Sequence, residues 1–268
     1  MNEVHRLPMI SIKSPTEIKI MREGGKILAG IMKELKKKVE PGVTTKELDR
    51  VAETLVFESG AEPAFKGYEN FPSTLCTSLN QVIVHGVPSN YKLKEGDILS
   101  LDLGIKYKGF FTDMAITVAV GKVDPGTKKL IKVTEQSLRE GIKAIRPGNH
   151  IGDISFAIQK YVESCGFKVI RELCGHGIGK ELHEDPQILN YGKKHTGPEI
   201  KEGMVFCLEP MVTMGDCRPD GRASPLAGQI KKSPDGFGWE TKDGSLSAHF
   251  EHTIAVTKTG YQILTELK

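Results

Sequence analysis

The sequence offers no cysteine framework. Its five cysteines, Cys76, Cys165, Cys174, Cys207 and Cys217, are an odd set with no CxxC spacing, which argues against a disulfide scaffold or a structural zinc and predicts free thiols in a reducing compartment. It has no apolar signal core at the N-terminus and no run near the roughly 20 apolar residues of a membrane span, so the expectation is a cytoplasmic protein with no membrane partner. Charge of either sign is close to balanced: 37 Lys and Arg meet 34 Asp and Glu. The net of +3 is too small to argue for nucleic acid from composition alone. Tryptophan occurs once, at position 239. What is left, 38% hydrophobic residues over a length of 268, describes an ordinary globular chain able to bury one large core.

Against that background the stretch from Asp97 to Val120, DILSLDLGIKYKGFFTDMAITVAV, is unusual. It reads as two apolar β runs joined by a polar turn, each with one aspartate where a core residue is expected. A symmetric hairpin centred on Tyr107-Lys108 sets Asp102 opposite Asp113, with Cβ atoms about 5 Å apart. A lone buried carboxylate costs several kcal/mol and two facing ones cost more. No Lys or Arg lies within the apolar parts of either run. Bound cations are the simplest compensation; on the hairpin alone, strand-end capping by both aspartates remains the alternative.

Residues 1–13 read as a lead-in and 14–268 as one domain. Ser14-Pro15-Thr16-Glu17 is a capping box that opens a helix lined by Ile18, Met21, Leu28, Met32 and Leu35 and ending before Pro41-Gly42. Its Lys33, Lys36, Lys37 and Lys38 form a solvated face, or one that touches something acidic such as ribosomal RNA. Thr44 to Glu47 is a second capping box, whose helix stops at Gly60.

The chain also repeats itself. Pro41 to Glu62 resembles Pro147 to Lys168, and KEGDILSLDLG (Lys94 to Gly104) matches KEGMVFCLEPM (Lys201 to Met211), which pairs Asp102 with Glu209. FTDMAITVAV (Phe111 to Val120) matches HFEHTIAVTK (His249 to Lys258), which pairs Asp113 with Glu251. Two halves, about 14–121 and 122–268, each of helix, helix and antiparallel strands, predict a pseudo-twofold α+β fold with four carboxylates at its centre. Four at matched positions are hard to explain as caps. The second half has an insertion, residues 213–247, whose Gly, Pro, Ser, Asp and Lys content reads as a surface loop.

Of eight histidines, His85 lies in VIVHGVP, His176 in CGHGIG, His183 in ELHEDP and His252 just after Glu251. Strand alternation points His252 away from the carboxylate. Four carboxylates and an imidazole make a hard, oxygen-rich donor set, too negative for one divalent ion and suited to two. Such pairs assist hydrolysis of an amide or a phosphate ester. With no basic phosphate-binding residues or Gly-rich phosphate loop in these motifs, the amide is favoured.

These motifs together, HGVP, LDLG, TDMAIT, GHGIG, LHEDP, CLEPM and HFEHT, resemble type I methionine aminopeptidase, from about residue 11 to the end. The resemblance implies the pita-bread fold and a single catalytic domain that removes the initiator methionine from nascent polypeptide N-termini. It implies two divalent ions (Mn, Fe, Co or Zn) held by Asp102, Asp113, His176, Glu209 and Glu251. By the same resemblance Asp113 and Glu251 bridge the ions, His176 and Glu209 complete one, and Asp102 chelates the other. Glu209 would accept a proton from water, His183 contact the scissile carbonyl and His85 assist at the scissile amide. The methionine pocket would comprise Tyr68, Phe71, Cys76 and Trp239, whose aromatic edges and small thiol suit a thioether. The expected partners are nascent chains and a ribosome contact, with the protein a monomer.

Two positions depart from the family pattern: Leu182 replaces a usual Phe, and His249 a usual Gln two residues before Glu251. His249 is expected on the metal-facing side, hydrogen-bonding a ligand and titrating near neutrality. The insertion is also longer than is common, which bears on Trp239. The same fold serves prolidase and aminopeptidase P, which usually have a further N-terminal domain, and inactive binding proteins, which have lost ligands that this chain keeps.

Overall fold

In this computed structural model the described residues are 10–214 and 226–266. Residues 215–225 of the insertion, with Cys217 among them, all of the lead-in before Ile10 and residues 267–268 lie outside them. The four cysteines within them are free thiols.

Each half opens on two capped helices. Ser14 Oγ accepts from the Glu17 N–H, Glu17 Oε2 accepts from the Ser14 N–H at 2.8 Å, and Pro15 occupies the first turn, where its missing N–H costs nothing. Helix α1 (Pro15–Lys37) buries Met21, Leu28, Met32 and Leu35. Gly25 is obligatory there, because a Cβ would overlap the Leu264 carbonyl. Thr44 and Glu47 repeat the capping box at α2 (Thr45–Glu58). In the second half Asp124 caps α3 (Pro125–Lys143), and Asp153 accepts from the His150 N–H at the start of α4 (Ile151–Ser164).

The strands that follow α2 are β1 (Glu62–Pro63), β2 (Cys76–Leu79), β3 (Val82–Val84), β4 (Ile98–Tyr107) and β5 (Phe110–Ala119). The strands that follow α4 are β6 (Lys168–Val169), β7 (Cys174–Gly177), β8 (Glu184–Leu189), β9 (Val205–Leu208), β10 (Met211–Thr213), β11 (Ile230–Lys232), β12 (Trp239–Thr241), β13 (Ser247–His249), β14 (His252–Thr257) and β15 (Gly260–Ile263). Long β4 pairs with β5 on one edge and with β1 and β2 on the other. Its counterpart β9 lies between β7 and β14. Both halves thus place a carboxylate-bearing run beside an antiparallel neighbour.

The hairpin register differs from the expected one. Tyr107 pairs with Phe110, so the turn is Lys108-Gly109, with φ of 48° and 83°. Two positive φ values in a two-residue loop match the twist of the strands, and Gly109 takes one at no steric cost. Asp102 therefore faces Ala115, and Asp113 faces Gly104. The aspartates are diagonal neighbours on one face, not direct partners.

Two threonines join the halves. Thr253 Oγ1 accepts from the Asp113 N–H and donates to the Asp113 carbonyl, both at 2.8 Å. Thr117 Oγ1 does the same for His249, at 2.8 and 2.9 Å. Between them the Glu251 N–H donates to Ala115 O at 2.9 Å, and Ala115 is the residue opposite Asp102. Backbone from the second half is thereby held against β5 at the level of the aspartates.

The insertion is not only a loop. Its β11 and β12 form a hairpin that adds to β3 of the first half. The β-forming Ile230, Trp239 and Thr241 lie in it, a signal outweighed in the composition by Gly, Pro and Asp.

Candidate metal centre

All five expected ligands converge. Asp102 comes from β4 and Asp113 from β5; His176 comes from β7 between two glycines; Glu209 and Glu251 stand just past the last pair of the β9–β14 ladder, Leu208 with His252. Carboxylate oxygens of Asp102, Asp113 and Glu251 lie within 4.8 Å of one another, and so do ligand atoms of His176, Cys207 and Glu251. Glu251 belongs to both groups. His176 Nε2 lies 3.6 Å from Glu209 Oε1. Gly175 and Gly177 permit this approach, since a Cβ at either would overlap the carbonyl oxygen of Cys207 or of Asp185.

The electrostatics favour a cation. Burial raises the Asp113 carboxyl to about 7. Burial, then the charge of their neighbours, pushes Asp102, Glu209 and Glu251 well above the ordinary carboxylate range. Asp102 Oδ1 and Glu251 Oε1 are buried without any hydrogen-bond partner. An uncompensated buried carboxylate costs several kcal/mol, so without a cation these groups give up their charge instead. Hard divalent ions fit four carboxylates and an imidazole.

The imidazoles are arranged to be neutral. His176 Nδ1–H donates to Gly177 O at 2.9 Å, which leaves the Nε2 lone pair toward Glu209. Burial lowers its pKa to about 3. The His183 ring packs edge-on against it, centroids 4.4 Å apart, and His183 Nδ1 lies 2.8 Å from the Tyr68 hydroxyl. With that hydroxyl donating, the His183 proton sits on Nε2, where it can be given to a carbonyl oxygen. His85 is exposed at the rim with φ of 58°, a left-handed conformation that costs a β-carbon-bearing residue about 1–2 kcal/mol. Ring His252 points away, bonded to Thr265 Oγ1 at 3.0 Å.

His249 requires a correction. It does face the site, with Nε2 3.6 Å from Glu209 Oε2, although the strand breaks after it, β13 ending at His249 and β14 starting at His252. Both ring nitrogens are buried without partners, and burial lowers its pKa to about 3. Divalent ions bound at the carboxylates would push in the same direction. Neutrality-range titration is therefore replaced by an imidazole that stays uncharged.

The carboxylates themselves line a pocket of about 160 Å³ whose other walls include Tyr68, Phe71, Cys76 and Leu182. Trp239, expected among them, is not on its lining; Phe237 is, edge-on to Phe71 at 5.5 Å. Asp235 sets this geometry: its Oδ1 accepts from the Phe237 and Gly238 N–H groups and its Oδ2 from that of Val87. Trp239 instead pairs with Val84 in the ladder and packs on Ile83, Ile170 and Met211 under the Lys232 ammonium. Sequence reasoning also missed Lys232 and Phe65 on the lining, and Cys207 among the ligand atoms. Cys207 was detectable, two residues before Glu209 on one strand face. Burial and the neighbouring carboxylates push its thiol far up, so without metal it is no thiolate.

A model of the metallopeptidase family M24 matches residues 19–258. Methionine aminopeptidase 1 of Bacillus subtilis (strain 168) is 47% identical over 259 residues, covering 97% of this chain and all of that one. The chain belongs to family M24, in its methionine aminopeptidase branch. Its backbone superposes on the crystal structure of methionine aminopeptidase from Rickettsia prowazekii with a TM-score of 0.91, at 39% identity, over 96% of this chain and 100% of that one. The structure of the Thermotoga maritima methionine aminopeptidase gives 0.90 at 43% identity, with the same coverage. The duplicated architecture is the pita-bread fold of this family, and membership implies divalent metal binding at the carboxylate centre. No helix among the described residues is long and apolar enough to cross a membrane.

Proposed function

We propose that the protein removes the initiator methionine from nascent polypeptides whose second residue is small, within one catalytic domain, residues 14–268, that binds two divalent ions. The observation that carries this reading is Glu251, shared between two groups of ligand atoms that together contain more negative charge than one divalent ion can offset. Asp113 and Glu251 would bridge the ions, His176 and Glu209 complete one, and Asp102 hold the other; Mn, Fe, Co and Zn all suit such donors. When bound, the ions supply Lewis acidity that polarises an amide carbonyl and acidifies water.

The protein's own groups do the rest. Glu209, kept ionised when the ions are bound, takes the proton of the attacking water as its oxygen bonds to the carbonyl carbon. His183 donates from Nε2 to the carbonyl oxygen, in the orientation set by Tyr68. The C–N bond then breaks, and the proton held by Glu209 goes to the leaving amine, beside His85. The methionine side chain fills the pocket among Tyr68, Phe71, Cys76, Leu182 and Phe237.

The basic groove lined by Arg22, Lys26, Lys33, Arg139 and Lys143 supports a contact with ribosomal RNA that would hold a cytoplasmic monomer near emerging chains. A peptide panel tests the activity. Met-Ala-Ser should be cleaved in a metal-dependent way, Met-Lys peptides and Ala-Pro peptides should not, and equal turnover of Met-Ala and Met-Lys would defeat the reading. Within the pocket, Phe237→Ala should lower kcat/KM on Met-Ala-Ser about tenfold, the loss of one apolar wall being worth about 1–3 kcal/mol. Trp239→Phe should leave it nearly unchanged. The reverse ranking would put the indole back in the pocket.

A further inference from the structure

A second cluster of metal-ligating side chains lies outside the catalytic pocket, where α4 meets the segment 191–199. In the first half the matching helix starts on the Thr44–Glu47 capping box. In the second half the same positions hold His150 and Asp153, and the facing segment adds His195. One ligand atom from each of these three residues lies within 4.8 Å of the others. We propose that His150, Asp153 and His195 form an auxiliary site for a borderline divalent ion such as Zn²⁺, which staples the start of α4 to segment 191–199.

Four observations support it. His150 Nδ1 is buried with no hydrogen-bond partner. His195 holds a left-handed backbone, φ 59°, costly for a residue with a β-carbon, and this leaves its Nδ1 3.8 Å from Asp153 Oδ1. Burial alone would raise the Asp153 carboxyl, but the N–H groups of His150 and His195, bonded to it at 2.8 and 3.2 Å, and the histidines beside it hold it below its ordinary value, so it is ionised. The backbone around the cluster is already placed, by the Gly152 N–H on Thr196 O and the Ile151 N–H on Pro198 O.

Two imidazoles and a carboxylate are a zinc-type donor set, and tetrahedral bonds of about 2.0–2.1 Å need donors roughly 3.4 Å apart, within reach of small side-chain rotations. The fourth position would be water, because Asp153 and His195 also border an open cavity. The helix N-terminus opposes a cation only weakly, and the Asp153 carboxylate offsets it.

The test uses metal-loaded enzyme, its His195→Asn variant and its His150→Gln variant, equilibrated against micromolar free Zn²⁺. Asn keeps the left-handed backbone acceptable while removing the imidazole, and the His195 side chain is largely exposed, so the fold is not at stake. Zinc per chain should be one equivalent higher in the parent than in either variant. Added Zn²⁺ should slow amide exchange over 191–199 in the parent alone, with peptide turnover alike in all three. Equal zinc content in the three proteins would overturn the proposal and leave a His195–Asp153 contact only. Equal slowing of exchange in all three would overturn it as well. Because the readout is a difference between proteins with the same catalytic centre, it is independent of how many ions that centre holds.

Discussion

Asp113→Asn should abolish peptide turnover, lowering kcat/KM by about a thousandfold or more, while Lys37→Ala leaves it unchanged. Asp113 oxygens lie among those of Asp102 and Glu251, and its backbone is held on both sides by Thr253 Oγ1. The asparagine is isosteric, so the fold is kept while a ligand charge is lost. Lewis-acid assistance is worth several kcal/mol, and about 1.36 kcal/mol is a factor of ten in rate. Lys37, by contrast, is exposed on α1 and paired with Glu34 at 2.7 Å, far in the chain from every ligand. A second signature separates site loss from misfolding. The substitution puts a neutral amide where the metal-free fold must hold an acid at a pKa of about 7, so near and above neutrality the metal-free variant should melt at or above the metal-free parent while losing the rise in Tm on adding metal. A metal-free variant that melts well below the parent, or comparable activity losses in Asp113→Asn and Lys37→Ala, would remove Asp113 from the site.

How much of this was legible in the sequence depends on whether a feature is local. The capping boxes at Ser14 and Thr44 were, because cap and partner lie three residues apart and the same side chains make the bonds. The gathering of four carboxylates at one centre was too, because duplication placed Asp102 against Glu209 and Asp113 against Glu251, where a single hairpin left the choice open. Register was not: which two residues form a turn depends on the φ each accepts, and Lys108 with Gly109 outcompeted the symmetric choice one position earlier. The aromatic wall was misplaced because Asp235, by binding N–H groups across the turn and from Val87, sends Phe237 to the pocket and Trp239 into the β3 ladder. Charge states were invisible for the same reason. The neutrality of His249 comes from burial by residues distant in sequence.

Metal removal should change how stability responds to pH. Asp113 titrates near 3.8 in an exposed chain and near 7 in the folded, metal-free one, and Asp102, Glu209 and Glu251 are displaced in the same direction. Where the folded state binds more protons than the unfolded one, the free energy of unfolding falls as pH rises. The carboxylates therefore favour the metal-free fold at low pH and weaken it as pH climbs through their folded values. Histidines act the other way: His176 and His249, lowered to about 3, and His252, to about 4, bind protons mainly when unfolded, so they make stability rise with pH, but only up to their unfolded value of 6.5. Above that value the histidines are neutral in both states and only the carboxylates remain. The chelator-treated protein should thus lose Tm between about pH 6.5 and 8, below the range where ordinary thiols ionise, by up to about 1.4 kcal/mol per pH unit for each proton released. Divalent ions keep the carboxylates ionised in the folded state, so the metal-loaded protein should be nearly flat over the same window, and the gain in Tm on adding metal should grow with pH. Metal-free Asp113→Asn, with one fewer proton to release, should fall less steeply than the metal-free parent. A metal-free melting temperature that holds level or rises from pH 6.5 to 8 would show that the four carboxylates do not share the buried centre described here.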